Sequence, residues 1–266
     1  ASAEFRLSLF ETDGVKDYRF AVVGESEASI GRGTNQLALE EFFNRHPPIV
    51  WFSDGSSLDG NRYTELKRKP TPYPAERILA WDWSGTDIRR EAQGVVKEPT
   101  SIQYRVIEHL KWKCDVVFDD DGSGEAADII GVVDGETRIA VEFYHCKFSR
   151  EDTPGHRVDD LYVVCGQAQK SIHWREDVTD LFEHMQRRET TRERAGQPTR
   201  FEKGTRDTLR TLTVKAENYP VDISVFVVQP GLSKAAVSHE QLELLSVTEN
   251  YLMETYQLPF TVIAST

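Results

Sequence analysis

Cysteine is scarce: Cys114, Cys146 and Cys165 are the only three in 266 residues. That excludes a disulfide-stapled scaffold and leads us to expect a reducing, cytoplasmic setting. No CxxC or HxxxH spacing occurs, so a zinc site joining His145 and Cys146 to Cys114, Cys165 or His173 has no pattern behind it. Long apolar runs are missing too. None approaches the roughly 20 residues that span a bilayer, so no membrane partner is expected. The N-terminus lacks a basic stretch followed by an apolar one, so no signal peptide is read. The chain begins Ala1-Ser2-Ala3, without Met, as a processed chain or a segment of a longer protein would. Excess basic charge is absent as well: the net charge is −12. A protein that binds nucleic acid through bulk charge alone is therefore excluded, but an enzyme with a local basic groove and an acidic metal site is not. There is no internal repeat and no low-complexity segment.

What is present reads as an α/β protein in two parts, residues 1–96 and 97–266, each long enough for its own core. In the first part, alternation over Phe5–Phe10 and Tyr18–Val23 predicts two strands around a turn at Asp13-Gly14. A short helix is predicted over Asn35–Asn44, stopped by Pro47-Pro48, then a strand over Ile49–Phe52 and a turn region through Ser53–Gly60. A basic, proline-broken loop runs from Lys67 to Pro74. Trp81 and Trp83 are read as packing residues, and this part yields an α+β extension without visible chemistry.

The second part is more regular. Ile102, Val106, Ile107 and Leu110 lie at helical spacing within Thr100–Leu110. Cys114–Phe118 is a strand ending in the acidic turn Asp119-Asp120-Asp121-Gly122, which matches only part of a calcium loop and is read as a turn. Ala127–Val133 and Arg138–Phe148 form a hairpin about Asp134-Gly135. A helix over Val158–Trp174, a strand over Ile223–Val228, a helix over His239–Tyr256 and a strand over Phe260–Ile263 complete the order. Between Gln186 and Arg210, eight basic residues face four acidic ones. Such a stretch is usually a solvated face, and its functional reading is a strip that tracks a phosphate backbone.

Asp128 opens one strand and Lys147 closes the next. A strand-start Asp is commonly a turn residue and a strand-end Lys commonly exposed, yet together they suit phosphodiester hydrolysis. The carboxylate would hold a divalent cation, which acidifies water and polarises phosphate. The lysine would orient that water or stabilise charge developing on phosphorus.

A helix, a strand, Ala126-Ala127-Asp128-Ile129-Ile130-Gly131, a hairpin, His145-Cys146-Lys147, and a helix carrying Gly166-Gln167 together resemble the PD-(D/E)xK nuclease superfamily over residues 97 to 230. The resemblance implies a restriction-endonuclease-like αβββαβ core and a DNA-cleaving activity dependent on Mg²⁺ or Mn²⁺, with RNA the less expected substrate. It implies Asp128 as a metal ligand, Lys147 as the catalytic lysine, Glu108 as the acid lent by the first helix and Gln167 as a helix glutamine near the metal. Lys170, Arg187, Arg188 and Arg192 become the candidate nucleic-acid contacts. The run from Asp115 to Trp174 is also similar to nuclease domains fused to helicases or argonaute-associated proteins in prokaryotic phage defence. This suggests a larger defence complex or a helicase as partner. The alternative is a nuclease-fold module that has lost cleavage and binds nucleic acid or docks onto a partner.

One position departs from the family pattern. Where an acid stands two before the lysine, this chain has His145, and Glu142 is the nearest acid on that strand. A two-residue hairpin loop would put residue 128 opposite 141 or 143, so odd positions share its face and His145 is favoured as ligand or base. A three-residue loop or a bulge would present Glu142 instead. Imidazole suits Mn²⁺ better than Mg²⁺.

Overall fold

The structure is a computed structural model that describes residues 3–12, 14–24, 28–32, 35–52, 56–65, 71–175 and 177–266. Two units divide the chain after Pro70. In the first, the alternating segments form β1 (Glu4–Thr12) and β2 (Val15–Val23), antiparallel with Glu4 opposite Val23. The expected helix over 35–44 is shorter and later. Its first four residues pair as β4 (Asn35–Ala38) with β3 (Ser29–Arg32), and α1 spans Leu39–Arg45. Phe43 of α1 packs on Phe5 and Phe20 with ring centroids 5.1 and 5.6 Å away. The Asn44 side-chain amide exchanges two 2.8 Å hydrogen bonds with the Phe20 backbone. β5 (Ile49–Trp51) matches the expected strand, and it forms a small antiparallel sheet with β6 (Ser57–Asp59), which lies where a turn region was expected, and β7 (Arg62–Thr64). Asp13, Ser53–Gly55 and Lys67–Pro70, parts of the expected turns and basic loop, lie outside the described residues.

The second unit is built on a seven-stranded mixed sheet. Its elements are β8 (Leu79–Trp81), α2 (Ile102–Lys113), β9 (Val116–Asp119), β10 (Ile129–Asp134), β11 (Ile139–Cys146), α3 (Asp159–Lys170), α4 (Val178–Arg194), β12 (Phe201–Lys203), α5 (Arg206–Ala216), β13 (Val221–Ser233), α6 (His239–Asn250) and β14 (Phe260–Ser265). The strand order is β12-β9-β10-β11-β13-β14-β8. β12, β9, β10 and β11 run antiparallel in turn, and β11, β13, β14 and β8 run parallel. The chain is thus of the α/β class. The expected boundary near residue 96 falls inside this unit, because β8 completes its sheet and Trp83 donates its indole N–H to the Ala264 carbonyl at 3.1 Å. Trp81 and Trp83 stack on each other 5.8 Å apart, as packing residues.

Period-2 alternation splits the core. Phe118, Ile130, Val132, Val141, Phe143, Val225 and Val227 face one side, with Leu161 and Val164 of α3, Met185 of α4, Leu209 of α5 and Leu245 of α6. Val117, Ile129, Tyr144, Cys146 and Val228 face the other, covered by Ile102, Val106, Ile107 and Leu110 of α2. Helix α2 starts where Ser101 caps it, its hydroxyl accepting the Tyr104 N–H at 3.1 Å. Between α3 and β13 the sequence reading missed α4, β12 and α5. On α4 the apolar stripe of Val178, Leu181, Phe182 and Met185 covers only the first two turns. Beyond it the buried face is polar, with Glu189 accepting from the Thr199 hydroxyl at 2.6 Å and the Arg200 N–H at 2.8 Å.

The β10–β11 hairpin differs from expectation in one measurable way. Asp134 pairs with Ile139, so Gly135 to Arg138 form a four-residue loop instead of two. Ile129 then faces Tyr144, and the next step of the register brings position 128 to 145. Adding two residues preserves parity, so Asp128 stays in step with odd positions on β11 while the register slides by two. Among the described residues no helix is long and apolar enough to cross a membrane.

Candidate active site

Asp128 lies just before β10 and is almost wholly buried. One carboxylate oxygen accepts the Cys146 N–H at 2.8 Å and the other accepts the Gln103 side-chain N–H at 3.2 Å. The bond to Cys146 ties the head of β10 to the end of β11, immediately before Lys147. The Lys147 ammonium sits 2.7 Å from Glu91 and 4.6 Å from the centre of the Phe148 ring. Glu91 also accepts the Phe148 N–H at 3.0 Å.

The β9–β10 loop supplies two further acids. Ligand atoms of Asp121, Glu125 and Asp128 all lie within 4.8 Å of one another. Gly122 and Gly124 have φ of 116° and 80°, which lets the loop reverse so that Glu125 accepts the Gly122 N–H at 2.6 Å. Burial pushes the Asp128 carboxyl well above its ordinary range. The Cys146 N–H opposes this, and the charges of Glu125, Glu91 and Asp121 add to it. Glu125 is raised too, first by burial, against the Gly122 N–H and with the charges of Asp121 and Asp120. An all-carboxylate oxygen set suits Mg²⁺ or Mn²⁺. A divalent cation would offset the mutual repulsion and be taken up with loss of protons, so these residues fit such an ion.

Helix α4 holds this loop in place. Buried Asp120 accepts from the Ala126 N–H at 2.7 Å and meets Arg188 Nε at 2.6 Å and His184 Nε2 at 3.0 Å. Arg188 also donates to the carbonyls of Asp120, Asp121 and Ser123 at 2.7, 3.0 and 2.8 Å. Arg200 donates to those of Asp119 and Asp121 at 2.7 and 3.2 Å. Arg188 and Arg192, expected on a phosphate strip, thus turn inward. Arg188 binds the acidic loop, and Arg192 donates to the Pro198 carbonyl at 3.1 Å and lies 4.0 Å from Asp119. Arg187 is exposed and pairs with Glu183, and Lys170 is exposed at the end of α3.

The remaining expected ligands lie elsewhere. Glu108 pairs with Lys111 at 2.6 Å, and it is Gln103, earlier on α2, that reaches Asp128. Glu142 is bound by Lys113 and accepts the Tyr144 hydroxyl at 2.9 Å, on the α2 side of the sheet. His145 is in step with Asp128, but its ring is buried and its Nε2 lies 3.1 Å from the Ser171 hydroxyl. Burial pushes its pKa down to about 3, so the ring is neutral, and it is not among the clustered ligand groups. Gln167 stands one turn before Ser171 on the same helix face, and its side-chain oxygen is buried without a hydrogen-bond partner among the described residues. Sequence reasoning passed over Glu91, Gln103 and Glu125. The signal within reach was an acid at 121, 125 and 128 on one glycine-punctuated loop. The three cysteines are buried and free, with Cys114 and Cys165 on opposite sides of the sheet.

No family model matches the chain, and neither does any curated protein or solved structure compared with it.

Two outcomes follow from this geometry. Replacing Arg188 by Met leaves buried Asp120 without its main cation and is expected to cost about 3–5 kcal/mol, read by urea unfolding; a cost below about 1 kcal/mol would contradict the clamp. His145 has a folded pKa below the ordinary 6.5, so its contribution is complete above that value and declines as pH falls below it, when only the unfolded chain takes up the proton. Relative to His145→Gln, the wild type should lose about 1.4 kcal/mol per pH unit below that point. Parallel pH curves for the two proteins would rule out a buried neutral imidazole.

Proposed function

We propose that residues 71–266 form a metal-dependent nuclease of the PD-(D/E)xK kind that hydrolyses DNA phosphodiester bonds. The order of α2, the adjacent antiparallel strands β9, β10 and β11, then α3 and β13 parallel to β11, supports the αβββαβ core, with α4, β12 and α5 as an insertion. The observation that carries the reading is the Asp121–Glu125–Asp128 cluster beside Lys147, at one end of the β10–β11 hairpin. Asp121 and Glu125 then take the part of the missing third-strand acid. A bound Mg²⁺ or Mn²⁺ supplies charge neutralisation of the phosphate and acidification of water. Lys147, steadied by Glu91 and the Phe148 ring, presents its ammonium to the attacking water or to the charge developing on phosphorus. Gln167 offers a buried acceptor on the α3 side. The choice of DNA over RNA, and a setting in a phage-defence complex with a helicase, rest on the sequence resemblance.

A second reading, a nuclease-fold module that binds without cutting, is favoured by one observation: position 145 carries an imidazole buried against Ser171. Incubation of single-stranded and duplex DNA with Mg²⁺, Mn²⁺ or EDTA separates the two. The nuclease reading expects metal-dependent cutting that falls about 10²–10³-fold in Lys147→Ala and in Asp128→Asn. A wild type that binds DNA and cuts with neither metal would favour the module.

A further inference from the structure

An open groove of about 510 Å³ lies beside Lys147, lined by Asp87, Arg89, Arg90, Phe148, Ser149 and Arg150. Its two walls come from segments far apart in the chain and are fastened to each other. The Ser149 N–H donates to the Ile88 carbonyl at 2.8 Å, and the Phe148 N–H donates to Glu91 at 3.0 Å. Ser149 and Ile88 are both buried, so the backbone that carries the three arginines is fixed in advance.

The arginine side chains themselves are lightly engaged. Arg89 has no ion-pair partner among the described residues. Arg90 meets Glu98 only at 3.6 Å and Arg150 meets Asp160 only at 3.7 Å, with side chains 53% and 64% exposed. Such exposed, long contacts hold little energy and yield readily to a better anion. The one acid of the groove, Asp87, accepts the Arg89 N–H at 3.0 Å, which draws its carboxylate onto the backbone. Three available guanidiniums together are an exception in a chain of net charge −12. Guanidinium forks match phosphate oxygens, and a local positive cleft steers a polyanion despite an acidic whole.

We propose that this groove holds the phosphate backbone of a nucleic acid, with Arg89, Arg90 and Arg150 as its contacts, and feeds the strand to Lys147. The inference deepens the nuclease reading and rests on it for its direction, since Glu91, next to Arg90, holds Lys147. It places the substrate contacts on Arg89, Arg90 and Arg150 in place of the Arg187–Arg192 stretch that the sequence suggested.

The test is fluorescence anisotropy of a labelled DNA duplex and a labelled single strand with the full chain in EDTA, between about 50 and 200 mM salt. The wild type is expected to bind. Arg89→Ala with Arg150→Ala is expected to bind at least about tenfold more weakly, with a salt slope shallower by about two. Arg187→Ala with Arg210→Ala is expected to bind like the wild type. A circular dichroism spectrum and urea midpoint unchanged in each variant exclude unfolding as the cause. The proposal is overturned if the wild type does not bind, or if the Arg89/Arg150 variant keeps affinity and slope, or if the Arg187/Arg210 variant carries the loss instead. Because cleavage is silent in EDTA, affinity lost in the Arg89/Arg150 variant, together with a wild type that binds but never cuts with metal, would sink the nuclease reading and leave the groove standing. Cutting with metal that is insensitive to the groove variant would do the reverse.

Discussion

The Asp128 carboxylate is the joint of the second unit. It accepts from the Cys146 backbone and the Gln103 side chain, and so fastens the head of β10 to the end of β11 and to the first turns of α2. Its own carbonyl accepts the Asp120 N–H at 3.0 Å, which sets the acidic loop against the same strand end. Two hydrogen bonds match part of a buried charge, but Glu91, Asp121 and Glu125 add like charge around it. Negative charge is thus gathered at one end of a sheet whose two faces are apolar, and the surrounding cations are arranged in answer to it.

Those cations fall into two sets with different work. Arg188 and Arg200 donate to the carbonyls of Asp119, Asp120 and Asp121, Arg188 also pairs with the buried Asp120 carboxylate, and Arg192 lies 4.0 Å from Asp119. They shape the acidic cluster and are closed to a ligand. Arg89, Arg90 and Arg150 line a separate groove, with their guanidiniums largely in water. Lys147 is held by Glu91 and rests on Phe148, which lines that groove. Binding of a polyanion to the open set would lead it past the lysine toward the three acids. The net charge of the chain conceals this division because it averages over both sets.

Much of the second unit was legible in its sequence because its strands are short apolar runs between turn residues. Parity alone put Asp128 in step with the odd positions of the Lys147 strand, and that survived a hairpin loop two residues longer than expected, while the position opposite it moved from 141 or 143 to 145. What stayed hidden has physical reasons. A residue's backbone position does not say what its side chain will find: His145 found Ser171, and Glu142 found Lys113 and Tyr144. Helix α4 was hidden because its apolar stripe is short: after Leu181, Phe182 and Met185 its inner face turns to Arg188, which binds Asp120. Its charge count read as a solvated strip when much of it is internal. The arginine groove was invisible because it exists only where the loops carrying Ile88 and Ser149 are joined. Glu125 was passed over because the loop was read as a turn, and its three acids converge only after two glycines reverse the chain.

The central claim is that Asp121, Glu125 and Asp128 form a divalent cation site at the Lys147 end of the hairpin. Crystals grown with Mn²⁺ test it most directly, through the anomalous difference map at the manganese edge. The account expects one strong peak within about 2.0–2.6 Å of an oxygen from each of the three carboxylates. A map with no peak there, or with its manganese bound elsewhere in the chain, would contradict it.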